Sequence, residues 1–83
     1  MKGRPVITVF RLVMRDEEFT LDSLATTLRN EGDVTITINR NLNLDPNSEL
    51  QIPYCGAVNR TTLEIEFDAP GTHKLLVITT EYK

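Results

Sequence analysis

The chain has 83 residues, a formal net charge of -3, one cysteine, one histidine and no tryptophan. A single small domain is the expected organisation, and a chain this short buries only about 60–65% of its unfolded surface, leaving a thin stability margin. One cysteine excludes an internal disulfide, nine scattered Lys and Arg argue against a nucleic-acid partner, and no run approaches the roughly 20 apolar residues of a membrane span.

The first ten residues, M-K-G-R-P-V-I-T-V-F, set positive charge before apolar side chains, as secretory leaders do. Arg11 and Arg15 interrupt the apolar stretch and no small-residue cleavage site follows, so cytoplasmic synthesis without a signal peptide is expected, with release as part of a virion or similar particle. Residues 5–14, P-V-I-T-V-F-R-L-V-M, predict a strand. Val6, Thr8, Phe10, Leu12 and Met14 fall on one face, and Ile7, Val9, Arg11 and Val13 on the other. Both faces are largely apolar, so this strand is either central in a sheet or in contact with another subunit. Arg15 to Glu18 then reads as a solvated turn.

Residues 19–29 are open to two readings. Phe19, Leu21, Leu24 and Leu28 would line a helix capped by Asp22 or Ser23, whereas Leu24, Thr26 and Leu28 alternate as a strand. Three threonines favour the strand. Asn30-Glu31-Gly32-Asp33 predicts a turn, with Gly32 free to take a positive φ, joining residues 24–29 to the next run as an antiparallel hairpin.

That next run, Val34 to Asp45, puts Val34, Ile36, Ile38, Leu42 and Leu44 on one parity and Thr35, Thr37, Asn39, Asn41, Asn43 and Asp45 on the other. A single strand of this length would exceed the usual span. Arg40 also lies on the apolar parity, where an unpaired cation cannot stay buried. Two shorter strands, or one bulged near Asn39–Asn41, are therefore expected. Asp45-Pro46-Asn47-Ser48 is a second turn, Leu50 to Ile52 a short strand ended by Pro53, and Tyr54 to Arg60 a loop. Thr61 to Phe67 points Leu63, Ile65 and Phe67 inward. After the Asp68–Gly71 turn, residues 72–82 form the last strand, where Leu75 to Ile78 is apolar on both faces.

The runs T-L-R-N-E-G-D-V-T-I-T-I (27–38), L-N-L-D-P-N-S-E-L-Q-I (42–52) and F-D-A-P-G-T-H-K-L-L-V-I (67–78) together resemble small immunoglobulin-like β-sandwich modules over residues 24–82. The chain departs from the antibody pattern in lacking Trp and a second Cys. The resemblance implies adhesion, decoration or subunit contact and transfers no catalytic residue. The expected fold is an all-β, small immunoglobulin-like sandwich of about seven strands, with a partly open barrel as the variant.

Chemistry-bearing residues are few. His73 has no carboxylate nearer in sequence than Asp68, and Cys55 in I-P-Y-C-G-A has no neighbouring base to activate it. Glu64 and Glu66 share a strand face about 7 Å apart, an ordinary solubilising pair that also discourages edge pairing. The stretch 39–50 resembles a calcium loop but lacks Gly at its sixth place and Glu at its twelfth. Asn59-Arg60-Thr61 is a glycosylation sequon with meaning only on a secretory route. No catalysis and no cofactor or metal are expected.

The row Thr35, Thr37, Asn39, Asn41 and Asn43, with Tyr54 at its edge, is the candidate binding face, offering short donors and acceptors to a glycan or peptide. The principal expectation is a structural or assembly subunit of a larger particle, of the phage-virion or surface-appendage type. Its partner would be itself or other protein, not nucleic acid or membrane, and contact would run through the apolar strands Val6–Met14 and Leu75–Ile78.

Overall fold

A computed structural model describes residues 5–54 and 56–83. The described chain forms eight strands: β1 (Val6–Val13), β2 (Glu17–Ser23), β3 (Ala25–Asn30), β4 (Ile36–Ile38), β5 (Leu42–Leu44), β6 (Glu49–Ile52), β7 (Asn59–Phe67) and β8 (Leu75–Tyr82). They make two antiparallel four-stranded sheets, ordered β1-β8-β3-β6 and β2-β7-β4-β5. The expected all-β sandwich is what forms, with eight strands rather than about seven and without barrel closure. Most connections cross from one sheet to the other, and only β4–β5 is a hairpin within a sheet. This is the order of an eight-stranded jelly roll. It differs from the immunoglobulin order, which pairs strands consecutive in the chain, such as A with B.

Alternation explains which residues fill the centre. Val13, Leu28, Leu75 and Val77 from the first sheet meet Ile36, Ile38, Leu44, Leu63, Ile65 and Phe67 from the second, all buried. Each such side chain contributes about 1.5–3 kcal/mol by leaving water. As expected, Leu63, Ile65 and Phe67 point inward. The two-sided apolar run Leu75–Ile78 belongs to β8, which lies between β1 and β3.

Several expectations need correction. Residues 19–29 are strand, the favoured of the two readings, but as two strands divided between the two sheets. The chain leaves β2 and enters β3 at Leu24, whose N–H donates to the Thr80 carbonyl (2.7 Å) while the Ser23 and Thr26 hydroxyls bond across the corner (2.6 Å). Glu17 and Glu18 belong to β2 rather than to a turn, and the turn before them is ordered because Asp16 accepts from the Phe67 N–H (2.9 Å). The hairpin expected between residues 24–29 and the following run does not form. β3 pairs with β6 and β8, and residues 31–35 carry the chain across to the second sheet. Asn30 draws that crossing inward by donating from Nδ2 to the carbonyls of Val34 (2.8 Å) and Leu44 (2.9 Å).

The run 34–45 is broken where Arg40 demanded it. Asn39 (φ 52°) and Arg40 (φ 66°) are the two central residues of the turn from Ile38 to Asn41 within the three-residue β4–β5 loop, both in the left-handed region as a type I′ turn requires. The turn lifts Arg40 off the core parity, and its Nε donates to Glu64 Oε1 (3.1 Å) on the exposed side. A left-handed conformation costs a side-chain-bearing residue about 1 kcal/mol, more than an exposed ion pair returns. Arg40→Gly is therefore expected to raise stability by about 0.5–1 kcal/mol, seen as a higher urea midpoint at unchanged slope.

Candidate self-association surface on strand β1

β1 is one of the first sheet's two edge strands and carries the longest apolar sequence of any edge. Val6 is paired with Tyr82 and each following residue with the preceding one of β8, to Val13 with Leu75. Yet only Val13 is buried. Phe10 is 67% exposed, Met14 61% and Val6 54%, and Ile7, Val9 and Leu12 are also exposed. The outward side chains Phe10 and Leu12 stand beside half-buried Ile78 and Leu76, making an apolar patch on the sheet's outer face.

The backbone adds a second feature. In an antiparallel pair, alternate residues aim both N–H and C=O at their neighbour. Lys83 N–H donates to the Pro5 carbonyl (3.0 Å), and Glu31 N–H to the Lys74 carbonyl (2.9 Å) on β8's other side. These bonds fix the parity: odd-numbered β1 residues turn to β8, while Val6, Thr8, Phe10 and Leu12 present N–H and C=O outward. No strand among the described residues lies along that edge.

The other edges are guarded. β6 is short, with Glu49 and Gln51 exposed and Pro53 just beyond it; β5 has three residues; β2 carries Glu17, Glu18 and Asp22. Charge, brevity and proline are the usual protections of a sheet edge. β1 has a single charge, Arg11, and it is neutralised within the chain. Its guanidinium lies 4.1 Å from the centre of the Phe19 ring and bonds Glu17 Oε2 (2.9 Å).

The Thr/Asn row is only partly brought together. Thr37 and Asn43 face each other across β4–β5, 3.2 Å apart, and the Thr37 hydroxyl also donates to Asp68 Oδ1 (2.7 Å). Thr35 reaches Asp45 (3.4 Å). Asn39 serves the hairpin, accepting from the Glu64 N–H (2.7 Å) and donating to the Thr62 carbonyl (3.2 Å). Asn41 sits in the turn, its N–H on the Ile38 carbonyl (3.3 Å). Tyr54 follows β6 of the opposite sheet and is exposed. Most of the row's hydrogen-bonding capacity is thus spent internally. Asn39→Ala is expected to cost about 1–2 kcal/mol of stability, through two lost bonds and a worse left-handed residue, as a thermal melt would register.

Elsewhere, His73 and the Arg60–Asp22 pair are tied to structure. His73 stacks on Phe67 (4.4 Å between centroids, 9°) and donates from Nε2 to the Ala69 carbonyl (2.7 Å). Arg60 grips Asp22 through two bonds (2.8 and 3.2 Å), which hold the Asp22 carboxyl below the usual carboxylate range. That contribution is present above the ordinary carboxylate pKa and fades as pH falls through the lowered one; solvent around both side chains keeps it small. Cys55 lies outside the described residues. Among the described residues there is no ligand-sized cavity and no cluster of three metal-binding side chains. What sequence reading missed is that β1 is an edge; its two-sided apolar pattern was the available signal. Comparison with protein-family models, curated proteins and solved structures gives no match to this chain.

Proposed function

We propose that this protein is a non-catalytic structural module that assembles with copies of itself, alone or within a larger protein particle, through β1 and the outer face of its sheet. The observation that carries this reading is the exposure of β1: a strand of eight residues, apolar on both faces, at an open sheet edge. Long apolar edges are a liability for a monomer and a resource for an assembly. Jelly rolls occur in both capsid and lectin domains. Fold alone therefore decides nothing, and the weight rests on the surface. The lectin-like alternative has less to work with, because the Thr/Asn row is largely bonded within the chain.

Sedimentation velocity over a micromolar concentration series tests the proposal. The wild type is expected to sediment as an oligomer. Phe10→Lys should leave folding stability within about 0.5 kcal/mol, since the side chain is exposed. The same change should weaken association by about 2 kcal/mol or more, as loss of an aromatic anchor does. A wild-type chain that stays monomeric throughout the series removes the reading.

A further inference from the structure

Resting on that reading, we infer that the first occupant of the β1 edge is a second copy of the same strand, paired antiparallel about a twofold axis through Val9. The axis stands perpendicular to the sheet, so inward faces of both copies lie on one side and only residues of equal parity can oppose each other. The outward groups belong to Val6, Thr8, Phe10 and Leu12. Centred on Val9, Val6 meets the second copy's Leu12 and Thr8 meets its Phe10, so every outward N–H and C=O of the four finds a partner. Centred on Phe10, Val6 would reach Met14, which lies beyond the strand. Centred on Arg11, two guanidinium groups would stand opposite each other, an arrangement that destabilises a strand pair.

Charge favours a like partner over an unlike one. Arg11 is already balanced by Glu17, so the edge asks for no acidic complement, and in the Val9 register it lies opposite the second copy's uncharged Ile7. Area points the same way. Five roughly half-exposed apolar side chains from Val6 to Leu12 offer on the order of 400 Å² per copy, and the backbone edge adds to this, against about 800 Å² per partner in a standard interface. The product is a continuous eight-stranded sheet, β6-β3-β8-β1 followed by the same strands in reverse.

Two variants of the full chain test the register. Val9 and its copy form a non-hydrogen-bonded pair, with Cα atoms about 4.5 Å apart, close enough for a disulfide. Val9→Cys in a Cys55→Ser background should cross-link to a dimer under mild oxidation, and Thr8→Cys in the same background should cross-link at least about tenfold more slowly, since Thr8 faces Phe10 rather than itself. Thr8→Pro removes an outward N–H without touching the β1–β8 ladder, a position where edge strands accept proline. It should keep the wild-type circular dichroism and melting temperature while raising the dimer dissociation constant about tenfold or more. If the wild type is oligomeric but Thr8→Pro associates normally and Val9→Cys fails to cross-link, the edge pairing is wrong and the assembly reading stands on the outer sheet face. If the wild type is monomeric, both fall.

Discussion

Asn30→Asp is expected to destabilise the fold by about 3–5 kcal/mol at neutral pH, a large fraction of the roughly 4–12 kcal/mol that an 83-residue domain has to lose. Asn30 is fully buried at the end of β3, and its side chain makes three contacts that no other residue could supply. Nδ2 donates to the Val34 and Leu44 carbonyls, and Oδ1 accepts from the Gly32 N–H (3.0 Å). Its backbone is also engaged, the N–H with the Ser48 carbonyl (3.0 Å) and the carbonyl with the Asn47 N–H (2.9 Å). One residue thereby ties together the end of the first sheet, the crossing to β4, the end of β5 and the turn before β6. A carboxylate of the same shape keeps the Gly32 bond but aims negative charge at two carbonyl oxygens, without water to soften the repulsion.

The pH dependence separates charge from shape. Burial and the two carbonyls raise the pKa of the introduced carboxyl above its unfolded value near 3.9. A raised folded pKa means the penalty of ionisation is absent below the unfolded pKa and grows as pH climbs through the folded one. The difference in unfolding free energy between variant and wild type should therefore narrow on acidification, towards the about 1–2 kcal/mol of a single missing donor. Urea titrations of both proteins from pH 4 to pH 7 measure it. A gap constant across that range would mean that Asn30 does not hold these carbonyls.

Why the sandwich was legible and its wiring was not follows from what alternation encodes. Parity in residues 34–38 and 61–67 tells which face of a strand is buried, and every inward residue predicted there is buried. It says nothing about the neighbour. β1 pairs with β8 from the other end of the chain, and β3 takes β8 and β6 rather than the adjacent β4. Arg40 was informative because a misplaced charge is local chemistry; it required a break, and the break is there. The Thr/Asn row misled for the opposite reason. Its partners Asp68, Thr62 and Glu64 lie more than twenty residues away in sequence, so their claim on these side chains could not be read from the run itself. β1 fell between the cases: two apolar faces meant either a central strand or a contact, and only the sheet order decides for an edge.

Gly32→Ala should rank just behind, at about 3 kcal/mol, and for a reason the turn sequence did not reveal. Gly32 does not take the positive φ its place in Asn30–Asp33 suggested; among the described glycines Gly56 and Gly71 do. What Gly32 provides is close approach. A Cβ there would collide with the Thr72 carbonyl oxygen and lie 3.0 Å from the Lys74 nitrogen, both of them backbone atoms. Neither can retreat freely, because the Glu31 N–H holds the Lys74 carbonyl (2.9 Å), the Asp33 N–H holds the Thr72 carbonyl (3.2 Å), and Asp33 Oδ1 holds the Thr72 N–H (2.7 Å). Admitting the methyl means parting the crossing from the 72–74 segment, which adds about 1 kcal/mol per hydrogen bond lost to the about 1–3 kcal/mol of overpacking. Gly56→Ala is the comparison. Its φ of 97° is strained for alanine but nothing lies within 4 Å of the new Cβ, so about 1 kcal/mol is expected. Thermal melts of the two variants side by side would show the larger drop at Gly32. Equal drops would mean that the crossing gives way easily, and then Asn30 could not be the rigid tie that the first prediction requires.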